Sequence, residues 1–293
     1  MSKERTASVC SAIARLAGLA CLMLGEALAA DKIAGTLAVR DALTMPGRPV
    51  MIEASLVQDS LLKPLGIGGE VVEFLVGGKK AGTAMTGGDG RARFEYTPHM
   101  RGNLKLTVRL GASTRVQSSE ATATLFAWER RRPILLVEFP ALTEPVKHLM
   151  VPAPSLPGLG GLSDSPIPLP DAAQELKRLT DFFFNVTYIS RTGSQDTVKM
   201  EELRRWLEQQ GFPSGVLTTI GPGKEALVTL IEDLRGQGWD NVKSGVGRTK
   251  EFADVLVEQR IEVVIVPEPE RGELPKKAQV AKGWKDVRKK IQG

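Results

Sequence analysis

Five places between residues 138 and 270 of this 293-residue chain put chemically useful side chains just beyond a short β-type apolar run. They are 138–143, Ser190-Arg191, Thr218 to Lys224, Gly245 to Glu251, and Pro267 to Glu270. In an open α/β sheet, ligands bind outside the carboxyl ends of the strands, so these are the positions to weigh. The Ser190 hydroxyl, the Arg191 guanidinium and the Lys224 ammonium are donors suited to an anion. Gly245-Val246-Gly247 is a turn of the kind that approaches phosphates, although such turns are common. Glu138 and Glu251 are carboxylates at the same level of the sheet. Plainer roles stand beside these: a capping or solvated carboxylate at 138, a turn-capping hydroxyl at 190 and a surface lysine at 224. A lysine at a helix start opposes the helix dipole.

The elements that must position these groups follow from periodicity. The runs 134–139, 186–190, 215–219, 242–246 and 262–266 read as strands, and 171–183, 196–210, 224–236, 249–260 and 276–291 as helices. Strand and helix alternating in this way predict a three-layer, Rossmann-like α/β domain over 129–293, with a parallel sheet covered on both faces. Near-continuous apolar runs such as VVIV suit strands buried on both sides. Residues 151–170 hold six prolines and three glycines, and read as a long loop after the first strand. Before Glu129 the pattern is all-β. The segments 50–57, 71–76, 92–96, 104–110 and 121–128 alternate and are separated by glycine- and proline-rich turns, which predicts a β-sandwich over 31–128. Gly87-Gly88-Asp89-Gly90 is a strong hairpin signal.

Two resemblances sharpen this reading. VVEFLVGGKKAGTAMTGGDGRARFEYTP, GNLKLTVRL and ATATL resemble bacterial immunoglobulin-like domains, which serve as spacers, adhesive modules or ligand-binding modules. Over about 135–267 the chain resembles the haloacid dehalogenase superfamily, in the branch of the lipin-type and actin-patch phosphatidate phosphatases. PILLVEFPALTE stands where that family has a strand ending in Asp-x-Asp-x-Thr. VTYISRTGSQDTVKMEELRRWLEQQGFPSG, GKEALVTLIEDL and VKSGVGRTKEFADVLVEQRI resemble its three later segments.

The resemblance implies an aspartyl-phosphate mechanism, with one Asp as nucleophile, a second as general acid and base, and Mg²⁺ bridging the first to an acidic residue of the fourth segment. Carried onto this chain, the nucleophile position is Glu138 and the general acid is Pro140. The hydroxyl is Ser190, with Arg191 beside it, and the phosphate lysine is Lys224. The fourth acidic position falls at Lys250 or Glu251, so Glu138 and Glu251 would hold the metal. Gly245, Gly247 and Arg248 would line the substrate. Two departures matter. Glu138 carries one extra methylene, and a misplacement of about 1 Å can cost roughly 10²-fold in rate. Pro140 has no proton to give, and losing general acid–base catalysis costs about 10²–10⁴-fold. The expected function is a phosphatase-like domain with lost or weakened catalysis that retains binding of phosphate or lipid phosphate, with no cofactor. The alternatives are an active Mg²⁺-dependent phosphatase acting on phosphomonoesters or phosphatidate, and a structural or adhesive envelope protein.

The rest of the sequence bounds these options. Residues 1–30 have a basic start, a short apolar core at 16–24 and Ala27-Leu28-Ala29, the features of a cleavable signal peptide. The expected location is therefore periplasmic or secreted. Cys10 and Cys21, the two cysteines of the chain, fall inside that segment, so the exported form has neither disulfides nor thiolate chemistry. The two histidines, His99 and His148, make no zinc motif. The formal charge of +5 is mild and argues for no nucleic-acid partner. Basic residues from Lys276 to Lys290 share the C-terminal helix with an apolar face of Val280, Trp284, Val287 and Ile291. Anionic lipid headgroups, phosphate-bearing small molecules and an envelope protein met by the first domain are the partners this composition suggests.

Overall fold

The computed structural model describes residues 32–58, 60, 64–145, 166–191, 197–268 and 274–292, without the side chains of 197–199 and 292. Residues 1–30, read above as a signal peptide, His148 and residues 151–165 of the proline-rich stretch lie outside the described residues. No helix among the described residues is long and apolar enough to cross a membrane.

The N-terminal part is β-sandwich-like. Its strands are β1 (Ile33–Ala34), β2 (Thr36–Val39), β3 (Ala42–Thr44), β4 (Val50–Gln58), β5 (Leu65–Gly66), β6 (Val71–Val76), β7 (Lys79–Met85), β8 (Arg91–Tyr96), β9 (Gly102–Leu110), β10 (Val116–Gln117) and β11 (Ala121–Ala127). One sheet runs β3-β11-β9-β6-β7; the facing one is built on β4, which pairs with β2, β5 and β8. Alternation places Ile52, Ala54 and Leu56 of β4 against Val72, Phe74, Leu106, Val108 and Leu125 in one core. Gly77 and Gly78, at φ 58° and 78°, form the two-residue turn of the β6–β7 hairpin. Positive φ at both central residues is what such a turn demands. The hairpin expected at 87–90 is not one: β7 pairs with β6 and β8 with β4, so the glycine-rich link crosses between sheets. Local turn chemistry is the same for a hairpin and a crossover, and pairing decides between them.

The second part is an α/β unit. Its strands are β12 (Ile134–Glu138), β13 (Asn185–Ser190), β14 (Val216–Thr219), β15 (Val242–Gly247), β16 (Glu262–Ile265) and β17 (Gln279–Val280). Its helices are α1 (Ala172–Phe182), α2 (Thr197–Gln209), α3 (Lys224–Gly236), α4 (Lys250–Glu258) and α5 (Trp284–Gln292). All strand pairs are parallel, in the order β14-β13-β12-β15-β16-β17. Counted from β12 this is 3-2-1-4-5-6, and the order reverses between β12 and β15. α1, α2 and α5 pack on one face, around Leu176, Trp206 and Trp284. α3 and α4 pack on the other, around Leu227, Ile231 and Phe252. The helix expected over 276–291 starts only at Trp284; Gln279 and Val280 instead pair with Val264 and Ile265 as an edge strand. Two of its cations are held within the fold, Arg288 by buried Glu175 and Lys285 by Asp171.

The two parts share a seam. Phe126 and Trp128, at the end of the sandwich, belong to the α3–α4 core, where Trp128 meets Trp239 edge-on at 6.4 Å. Asp41, between β2 and β3, reaches the open side of edge strand β14. It accepts hydrogen bonds from Leu217 N at 3.1 Å, Thr124 N at 2.9 Å and Arg204 Nη2 at 2.9 Å. An edge strand left open is a template for unwanted pairing, and this carboxylate closes part of it.

Candidate functional site

The site forms where the strand order reverses. Glu138 is the last residue of β12, and Pro140 is the second residue of a 3-10 turn at Phe139–Leu142 that buries Ala141 and Leu142. A proline is suited to the first turn, where its missing N–H has no helical partner to lose. Beyond the neighbouring strand β15, Thr249 caps α4: its hydroxyl accepts from Phe252 N.

These two elements meet through Glu138, which is 0% exposed. Its Oε2 accepts from Arg248 N at 2.9 Å and Thr249 N at 3.0 Å, and its Oε1 accepts from the Thr249 hydroxyl at 2.7 Å. Arg191 Nε lies 3.5 Å from Oε1. Arg191 Nη1 donates to Glu251 Oε1 at 2.9 Å and to Gly223 O at 3.2 Å. A guanidinium therefore sits between Glu138 and Glu251. Arg248 Nη2 donates to Thr143 O at 2.6 Å. Burial lowers the Arg248 pKa, opposed by the charge of Glu138.

Of the residues singled out by sequence, the fold thus gathers Glu138, Arg191, Arg248 and Glu251. Ser190 is buried at the end of β13, with its carbonyl accepting from Ile220 N. Lys224 is drawn away from the group: its ammonium donates to Asp254 Oδ2 at 2.9 Å, lies 3.9 Å from Glu258 and is 43% exposed. That hydrogen bond to Asp254 raises the Lys224 pKa and lowers that of Asp254. Thr249 and Asp254 escaped the sequence reading. A threonine directly before a helical pattern is a capping signal that pointed to Thr249.

Gly245 and Gly247 have a packing reason to be glycine. A Cβ on Gly245 would stand 2.1 Å from Leu256 Cδ2, and one on Gly247 would stand 2.3 Å from Phe252 Cδ1. Neither has the positive φ of a phosphate-cradling turn. Gly245→Ala is expected to destabilise the protein by about 1–3 kcal/mol, the usual cost of overpacking, in urea unfolding. A variant as stable as the parent would show that α4 can move aside.

The residues do not fit Mg²⁺. That ion wants near-octahedral oxygen ligands and keeps several waters. Here both oxygens of Glu138 already accept hydrogen bonds, and a guanidinium occupies the space towards Glu251. Among the described residues no group of three His, Cys, Asp or Glu side chains is placed to hold a metal.

No family model matches the chain, and no curated protein matches it. Among solved structures, the fibronectin(III)-like modules of Clostridium thermocellum CbhA align at 18% identity over 32% of this chain and 47% of theirs, with a TM-score of 0.25. The chain thus spans about half of those modules' length. The D,D-heptose 1.7-bisphosphate phosphatase of B. bronchiseptica, complexed with magnesium and phosphate, aligns at 16% identity over 55% of this chain and 98% of its own, with a TM-score of 0.42. The CARDB domain of PF1109 from Pyrococcus furiosus aligns at 14% identity over 32% of this chain and 92% of its own, with a TM-score of 0.25. At such scores these likenesses carry no argument about activity.

Proposed function

We propose that this is an exported, non-hydrolytic protein, in which a phosphatase-like α/β domain and an immunoglobulin-like domain act together as a binding or scaffolding unit in the periplasm or outside the cell. The observation that carries this is the state of Glu138. It is fully buried, and its oxygens are taken by two backbone N–H groups and a hydroxyl, with a guanidinium alongside. A nucleophile needs an unobstructed oxygen aimed at the reacting atom, and a general acid beside it. Glu138 offers the first to nothing outside the fold, and Pro140 cannot be the second.

The test uses the mature chain, residues 31–293, incubated with Mg²⁺ and either a generic phosphomonoester or phosphatidate. No turnover above buffer is expected. Mg²⁺-dependent turnover that disappears in Glu138→Gln would replace this reading with that of an active phosphatase.

A second reading, retained oxyanion binding, has its own support. Arg191 Nη2 and Arg248 Nε are buried and make no hydrogen bond among the described residues. Two unpaired guanidinium donors in the same cluster are of the chemistry that pairs with a phosphate or a lipid headgroup oxyanion. Saturable binding of inorganic phosphate that Arg248→Gln weakens would favour it over a purely structural role. The nearby carboxylates Glu138, Glu251 and Asp254 reduce the field available to an anion, so the affinity expected is low.

A further inference from the structure

The amino ends of the parallel strands, at the edge of the sheet opposite Glu138, carry a cleft of about 600 Å³ against the sandwich. Arg101, Asn103 and Glu129 line it on one side, and Arg132, Lys177 and Asp181 on the other. Its charges do not balance. Arg101 is paired with Glu129 at 2.8 Å and Lys177 with Asp181 at 3.0 Å, which leaves Arg132 over. That guanidinium makes neither an ion pair nor a hydrogen bond among the described residues. Its Nε is sealed from solvent, so its two Nη groups are the ones a ligand can meet.

Each rim of this cleft holds apolar side chains out in solvent. Beside Arg101 stands Met100, 74% exposed. Beside Asp181, at the end of α1, stand Phe182 and Phe183, 75% and 49% exposed, with ring centroids 6.3 Å apart. No other phenylalanine, tyrosine or tryptophan among the described residues is exposed. Single exposed apolar residues are ordinary, but large ones bracketing a cationic cleft mark an interaction surface. More cations share this edge. Asp171 and Glu175 meet Lys285 and Arg288 in that order, so α1 and α5 run the same way and α5 ends here with Lys289 and Lys290. Lys289 lies 3.9 Å from Asp286, and Arg131 is exposed next to Arg132. Of the carboxylates nearby, Asp240 is taken by Arg130, and Glu262 stands two strands away from β12 at the start of β16.

We propose that this edge docks on an anionic phospholipid surface, with Phe182, Phe183 and Met100 entering the acyl boundary and Arg132 facing a headgroup phosphate. Aromatic rings beside cations suit the boundary layer of a bilayer, where the rings leave water and the cations meet phosphates. A soluble phosphate would engage Arg132 and leave the aromatic pair without a role. The proposal does not rest on the reading of Glu138, at the other edge of the sheet.

The test is co-sedimentation of residues 31–293, which removes the apolar run at 16–24, with two kinds of vesicle: equimolar phosphatidylglycerol and phosphatidylcholine, and phosphatidylcholine alone. Binding to the mixed vesicles is expected, falling as salt is raised, with little binding to phosphatidylcholine. Phe182→Ser with Phe183→Ser is expected to weaken it by about tenfold or more, the loss of two rings from the apolar layer. Circular dichroism checks the fold of that protein, and Phe182→Ser alone replaces it if the pair unfolds. Arg132→Gln is expected to weaken binding about fivefold, the worth of one cation near such a surface. Lys32→Gln, beyond the far end of β9 where Lys32 donates to Ser113 O, is expected to leave it unchanged. Failure to sediment with the mixed vesicles overturns the proposal, and so does binding that survives the phenylalanine substitutions. Equal weakening by Lys32→Gln and Arg132→Gln would reduce it to general charge attraction. Saturable binding of inorganic phosphate without vesicle binding would assign the cleft to a soluble anion instead.

Discussion

Glu138→Ala is expected to cost the protein roughly 3–5 kcal/mol of stability, the penalty for removing one partner of a buried charged cluster. Four donors lose their acceptor at once: the backbone N–H groups of Arg248 and Thr249, the Thr249 hydroxyl and the Arg191 guanidinium. Each buried donor left unpaired carries a desolvation cost, and the two N–H groups lie at the N-cap of α4 and just before it. The same carboxylate also places negative charge at the positive end of that helix. Glu138→Gln retains one acceptor oxygen and is expected to lose less. Glu138→Asp shortens the reach towards Arg248 N and Thr249 N, so it is expected to lose stability as well, despite its resemblance to a working nucleophile. Urea unfolding followed by circular dichroism measures all three. If Glu138→Ala is as stable as the parent, the carboxylate is not the tie between β12 and α4, and the argument for a structural role at this position falls.

The second large effect is expected at Asp41, where alanine should again cost about 3–5 kcal/mol. The carboxylate is buried between the domains and takes hydrogen bonds from Thr124 N, Leu217 N and Arg204. Burial raises its pKa above the ordinary 3.8, against the opposing pull of Arg204 and the two N–H groups. The ionised form is thus costly to bury, but deleting it recovers little, because its donors remain behind without it. The raised pKa also sets a pH dependence. Between 3.8 and the folded-state value, the folded protein holds more protons at this site than the unfolded chain does. Stability from Asp41 is therefore full below 3.8 and declines as pH rises through the folded-state value. Asp41→Asn, which cannot titrate, should lack that slope. Parallel unfolding series of the parent and Asp41→Asn across this window decide the matter; identical pH profiles would show that Asp41 does not titrate as a buried group.

Both residues illustrate how far the sequence can be read. The strands of the α/β unit stand out because each is a short apolar run followed by a helical pattern, and helix–sheet burial imposes those periods locally. β12, β13 and β16 lie close to the runs read for them, and the carboxyl ends of the strands were identifiable as the place for polar side chains. The sandwich strands that alternate cleanly, β4, β6 and β9, were equally visible. β7, KKAGTAM, was legible only as the β-prone, Thr-containing run ahead of the 87–90 turn: it is a sheet-edge strand with one partner and little buried apolar surface, so its pattern carries almost no period-two signal. The C-terminal helix was drawn too long because Val280 continues the helical spacing of Trp284 and Val287. A pairing with β16, distant in sequence, makes its segment a strand instead.

By itself, then, the sequence determined the class of each half, the confinement of both cysteines to the first 30 residues and a proline, with no side-chain proton to give, at position 140, all properties of residue type or local period. Only the tertiary structure decided what the polar groups do. The partners of Glu138 are more than fifty residues away along the chain, and it is their convergence at the strand-order reversal that fills its oxygens. Asp41 looked like an ordinary turn residue until the edge of a sheet 176 residues later came to rest against it. Hydrogen-bond satisfaction and burial depend on which distant elements meet, and those are what distinguish a carboxylate that reacts from one that holds the fold together.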